Sequence, residues 1–110
     1  MTSARTLKIR ELNDALRTSL TGGEGYFTAE AVAMGPDFMV DALAAVRGFD
    51  VFTVDNDPYG EHDFGCVAVH EEKVIWKIDY YDSTLCYGSN DPADPAQTTR
   101  VITIMLAHEY

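Results

Sequence analysis

The stretch "FGCVAVHEEKVIWKIDYYD", residues 64–82, decides the fold. Two runs rich in β-branched and aromatic residues, 64–70 and 73–82, flank Glu71-Glu72. Such runs on either side of a short polar break predict a β-hairpin. Pairing across the break sets Val69 opposite Val74, Val67 opposite Trp76 and Gly65 opposite Ile78, which makes one face apolar. The other face matches His70 with Lys73, Ala68 with Ile75, Cys66 with Lys77 and Phe64 with Asp79, and is half polar. The apolar face is expected to pack on helices and the second face to stay partly wet. Glu-Glu is a poor two-residue turn, so a four-residue loop in the same register is expected.

Working outward, residues 3–20 read as an amphipathic helix. Ile9, Leu12, Leu16 and Leu20 form its stripe, Ser3 its cap and Gly22-Gly23 its stop. "GYFTAEAVAM", residues 25–34, alternates as a strand. "PDFMVDALAAVRG" reads as a second helix, with Pro36 and Asp37 in the first turn, Gly48 at its end, and Phe38, Ala42, Leu43 and Val46 inward. "FDVFTV", residues 49–54, has strand composition, and residues 55–63 are punctuated as a loop by Asp57-Pro58 and Gly60. After a turn-rich segment, Asp94-Pro95 predicts the start of a last helix over 95–109. "TTRVITIML" within it has the β-branched content of a strand. The expected fold is α+β over one domain, residues 1–110. It has a small, mainly antiparallel sheet with a central hairpin at about 64–81 and about three helices packed on one face.

The charge is lopsided. The chain carries a formal −10, yet residues 50–94 alone hold eleven acids against Lys73 and Lys77. Direct nucleic-acid binding needs the opposite sign, and an anionic membrane repels such a chain. No apolar run approaches a membrane span and the N-terminal residues lack a signal-peptide pattern, so a cytoplasmic protein is expected, with Cys66 and Cys86 as free thiols.

Three blocks, "FDVFTVDNDPYGEHDFG", "WKIDYYD" and "DPADPAQTTRVITIMLAHEY", together with "LNDALR" and "TGG", carry a resemblance. The chain resembles a family of small bacterial proteins classed as a domain of unknown function, of the DUF3768 type. The resemblance implies a single-domain intracellular protein, often encoded on plasmids and other mobile elements. It implies no catalytic residue.

The candidate chemistry centres on "DNDPYGEHDFG", residues 55–65. As a calcium loop, Asp55, Asp57, Gly60 and Asp63 fall on the first, third, sixth and ninth positions, but Tyr59 and Cys66 stand where ligands are required. Asp55, Asp57, Glu61 and Asp63 therefore remain candidates only for a looser divalent-cation site, and no other cofactor is expected. His62, Asp63 and Asp79 are candidate acid–base groups, because the expected register brings Asp79 beside the loop. Lys77 beside Asp79 reads as an ordinary ion pair. The loop also has a purely structural reading, in which Asp and Asn side chains hold its turns and Phe64 anchors it.

Two functions follow as expectations. The first is an acidic interaction or inhibitor module that binds a basic host protein through Asp55, Asp57, Glu61, His62, Asp63, Asp79 and Asp82. Such a module would imitate nucleic-acid phosphates, in the manner of anti-restriction or anti-CRISPR proteins. The alternative is a small metal-binding or acid–base enzyme centred on the 55–63 loop.

Overall fold

The computed structural model describes residues 2–110. Its elements are α1 (Ala4–Ser19), β1 (Gly23–Phe27), α2 (Ala29–Ala33), α3 (Pro36–Arg47), β2 (Phe64–Val69), β3 (Glu72–Tyr81) and β4 (Thr99–Leu106), closed by a 3-10 turn, Ala107–Glu109. The four strands form one sheet in the order β1-β4-β3-β2. β2–β3 and β3–β4 are antiparallel, and β1–β4 is parallel. Three helices and a mostly antiparallel sheet make the fold α+β.

The hairpin faces are as the sequence predicts, but the register is not. Val67 pairs with Val74, Gly65 with Trp76 and Phe64 with Lys77. The turn is His70-Glu71, and both residues adopt positive φ, 50° and 69°. That geometry matches the twist of the flanking strands, so a two-residue turn replaces the expected four-residue loop. Val69 therefore meets Glu72 instead of Val74, a shift of two positions. An even shift leaves every side chain on its own face. Asp79, however, no longer lies opposite Phe64.

The last segment is the largest correction. Residues 99–106 form a strand where a helix over 95–109 is expected, and it is central, hydrogen-bonded to β1 on one side and β3 on the other. Its β-branched run prevails because both of its faces are covered and pleated packing suits Val, Ile and Thr. Asp94-Pro95 does not start a helix. Asp94 Oδ1 accepts the Ala96 N–H at 2.9 Å and closes a local turn.

Two further strands are shorter or absent. The expected strand over 25–34 spans only Gly23–Phe27, because Thr28 Oγ1 accepts the Ala31 N–H at 3.3 Å and caps α2. Residues 49–54 form no strand. Asn56 accepts the Thr53 N–H and donates to the Val51 carbonyl, both at 2.8 Å, and so satisfies backbone groups that a ladder would need. Phe49 and Phe52 instead turn edge-on to Trp76.

One core lies between α1, α3 and the sheet. Leu16, Phe38, Ala42 and Val46 meet Val74, Trp76, Ile78, Ile102 and Ile104. α2 lies against β4 and α3. Gly65 belongs to this packing, since a Cβ there would run into the Trp76 indole. The helical stripe of α1 differs from expectation. Ile9 and Leu16 are buried, but Leu20 is half exposed and caps the helix in the left-handed conformation, just before Gly22-Gly23. Asn13 and Arg17 fill the buried face in its place. Cys66 and Cys86 are both exposed and free.

Candidate functional site

The sheet has an acidic end. β2 and β4 begin there and β3 finishes there, so the connections 48–63 and 82–98 emerge side by side. The N-terminal half of α1 lies against them. Arg10 Nε donates to the Gly60 carbonyl at 2.7 Å, and Arg5 approaches Asp91 at 3.6 Å.

Beneath these loops runs a polar network that the sequence does not announce. Arg100, 1% exposed, donates from Nε to Asn13 Oδ1 at 2.9 Å and from a terminal nitrogen to the Pro92 carbonyl. Its guanidinium lies 5.2 Å over the Tyr80 ring. Burial lowers its pKa, while the nearby Tyr80 and Glu61 oppose the shift. Asn13 Nδ2 donates to the Glu61 carbonyl at 3.0 Å and to the Tyr80 hydroxyl at 2.7 Å. Tyr80 in turn donates to Glu61 Oε1 at 2.8 Å. Burial raises the Tyr80 pKa, so its hydroxyl stays a donor. Arg17 has a parallel role nearby. It donates to the Val46, Arg47 and Phe49 carbonyls at and just beyond the end of α3, and lies over the Phe52 and Trp76 rings.

His62 sits above this network at φ 55°. The strained backbone is held by Asp57, 8% exposed, whose two carboxylate oxygens accept the His62 N–H at 3.2 and 3.3 Å. Its imidazole stacks on Phe52 with centroids 3.7 Å apart and planes 5° from parallel. Nδ1 meets Asp14 at 2.9 Å, and Nε2 lies 3.7 Å from Asp57 Oδ2. An open groove of about 740 Å³ runs past this ring, lined by Thr6, Arg10, Phe52, Asp57, Tyr59 and His62 among others.

The expected site residues divide. Asp57 and His62 come together on the groove. Glu61 and Asp63 lie next to them but turn to structural partners, Glu61 to Tyr80, and Asp63 through its carbonyl to the Ile78 N–H at 2.8 Å. Desolvation raises the Asp63 pKa, followed by repulsion from Glu61 and then by Asp57 and Asp79. Asp55 is exposed at the loop tip. Asp79 pairs with Lys77 at 2.7 Å on the sheet face away from the helices, and that hydrogen bond raises the Lys77 pKa. Asp82 holds its own turn by accepting from Thr84. Among the described residues, no three His, Cys, Asp or Glu side chains are grouped to hold a metal ion. No helix among them is long and apolar enough to cross a membrane.

Asn13, Asp14, Arg17 and Arg100 are missing from the sequence-based site. Asn13 and Arg17 carry a faint signal, since both fall at helical spacing from Ile9 inside an otherwise apolar stripe. Arg100 carries another, as the one charge in a β-branched run. Asp14 carries none.

The arrangement defines a small α+β protein whose acidic connections are fixed from below by buried cationic and amide groups. The family model for a protein of unknown function (DUF3768) matches residues 27–109, and the chain belongs to that family. No curated protein and no solved structure matches it.

Proposed function

We propose that the protein is an acidic interaction module that binds a basic protein surface at the end of the sheet carrying the 48–63 and 82–98 connections. The observation that carries this reading is that both acidic stretches emerge at the same end. Asp50 and Asp55 are exposed on the first, and Asp82, Asp91 and Asp94 are half exposed on the second. Charges gathered this way steer an oppositely charged partner and align it more than they bind it tightly. The partner class that fits is a nucleic-acid-binding protein, whose phosphate-binding surface meets carboxylates in place of phosphates. For a protein encoded on a mobile element, a host nuclease or repressor is the useful target.

The test is competition. The purified protein is expected to displace duplex DNA from a panel of basic DNA-binding proteins, less as salt rises. The quadruple replacement Asp50→Asn, Asp55→Asn, Asp82→Asn, Asp94→Asn keeps the side-chain shapes and is expected to abolish displacement. Binding that is indifferent to salt and to these replacements overturns the reading.

A further inference from the structure

We infer that the groove between the N-terminal half of α1 and the 52–62 loop binds a small carboxylate that also bears a hydroxyl or amino group. This inference stands apart from the interaction reading, because it uses a part of the acidic end where a cation, a carboxylate and an imidazole face a common space.

Arg10 supplies the anion-binding group. Its Nε bond to the Gly60 carbonyl fixes the guanidinium plane at the groove wall. Its terminal nitrogens make no ion pair among the described residues, so their N–H groups remain for a planar oxyanion. Asp57 supplies the complementary acceptor. Its side chain is 4% exposed and held by the His62 N–H, yet a carboxylate has lone pairs for more than one donor. His62 supplies the third contact. Asp14 at Nδ1 and the stacked Phe52 fix the ring, while Nε2 and Asp57 Oδ2 stand 3.7 Å apart, too far for a mutual hydrogen bond. An ammonium group between them can donate to both, and a hydroxyl donates to Asp57 and accepts from Nε2 in the imidazolium form. A ligand with an oxyanion alone uses only Arg10, and an amine alone uses only Asp57 and His62.

An NMR titration separates these cases. Lactate and L-serine carry both groups, inorganic phosphate only the oxyanion, and ethanolamine only the donor. Lactate or serine is expected to shift the Gly60 and His62 amides and the His62 ring, and to bind about tenfold more tightly than phosphate or ethanolamine. Arg10→Gln, at a half-exposed site on α1, is expected to weaken that binding about tenfold while leaving the β3 and β4 signals in place. Asp57→Asn keeps the loop hydrogen bond to His62 through its amide oxygen and is expected to remove the preference over phosphate. Three results overturn the assignment: no shift of these signals with lactate or serine, ethanolamine binding as well as either, or an affinity that survives Arg10→Gln.

Discussion

The two acidic connections at the same end of the sheet are held in opposite ways. The 48–63 connection is held in good part from outside itself. α1 reaches into it through Arg10, Asn13 and Asp14, which take the Gly60 carbonyl, the Glu61 carbonyl and the His62 ring. Two of its carboxylates turn inward, Asp57 to the His62 backbone and Glu61 to Tyr80, while Asp50 and Asp55 stay exposed. The 82–98 connection is held largely by itself. Asp82, Asp91 and Asp94 each accept the N–H two residues on, from Thr84, Ala93 and Ala96. Its one deep anchor is the Pro92 carbonyl on Arg100. Residues of one type thus do two jobs. In the first connection, Asp57 and Glu61 are framework around a groove. In the second, they shape turns that leave charge at the surface.

Arg100 is where the two meet, so its loss should erase the distinction. Arg100→Met keeps most of the buried volume but strips Asn13 Oδ1 and the Pro92 carbonyl of their donor. Leaving buried acceptors unpaired costs about 1–3 kcal/mol each. A loss of about 3 kcal/mol in urea unfolding is expected, with faster amide exchange in both connections. Exchange that quickens in only one shows that Arg100 does not couple them. Asn13→Leu is the next test. It removes the amide that joins Glu61, Tyr80 and Arg100, so a cost of about 2 kcal/mol is expected. Here faster exchange should be confined to residues 57–63, because the Pro92 contact survives. Equal loosening of 91–98 contradicts the assignment.

The hairpin and its faces, α1 and α3 are legible in the sequence because each rests on a local period that the core merely completes. Val67, Val74, Trp76 and Ile78 alternate, and Phe38, Ala42 and Val46 fall at helical spacing. The strand at 99–106 is not legible in the same way. Its β-branched run competes with a strong local start signal at Asp94-Pro95, and only the pairing with β1 and β3, distant in sequence, decides between them. The register depends on His70 and Glu71 accepting positive φ, which neither residue type advertises. Half of the candidate site is legible for a similar reason. Asp57 and His62 stand close together in the chain. Asp14 and Arg10 reach them across about 50 residues, and Asp79, placed near the loop by the expected register, lies on the far face. Long-range polar contacts leave no periodic trace, and that is where the network lies.

Acid titration gives the smallest effect and the sharpest contrast, because the two connections differ in sign. Desolvation raises the Asp63 pKa above its ordinary 3.8. The fold therefore favours its protonated form, so its contribution is present below 3.8 and lost as pH rises through the raised value. Asp63→Asn is expected to stabilise the protein at neutral pH, by less than about 1 kcal/mol given its partial exposure, with the advantage vanishing on acidification. Asp82 and Asp94 behave in reverse. Hydrogen bonds from Thr84 and from Gln97 hold their pKa values below 3.8. Their contribution is present above 3.8 and lost as pH falls through the lowered values. Asp94→Asn should therefore weaken the protein slightly at neutral pH, and the difference should fade in strong acid. The Asp63 shift comes first from desolvation, which salt does not screen, whereas Asp82 and Asp94 are half exposed and shift through hydrogen bonds, so raised salt should shrink their effects first. Thermal midpoints of Asp63→Asn, Asp82→Asn and Asp94→Asn, compared across pH at low and high salt, check this. If all three change with pH in the same direction, the two connections are electrostatically alike and the distinction between framework and surface carboxylates fails.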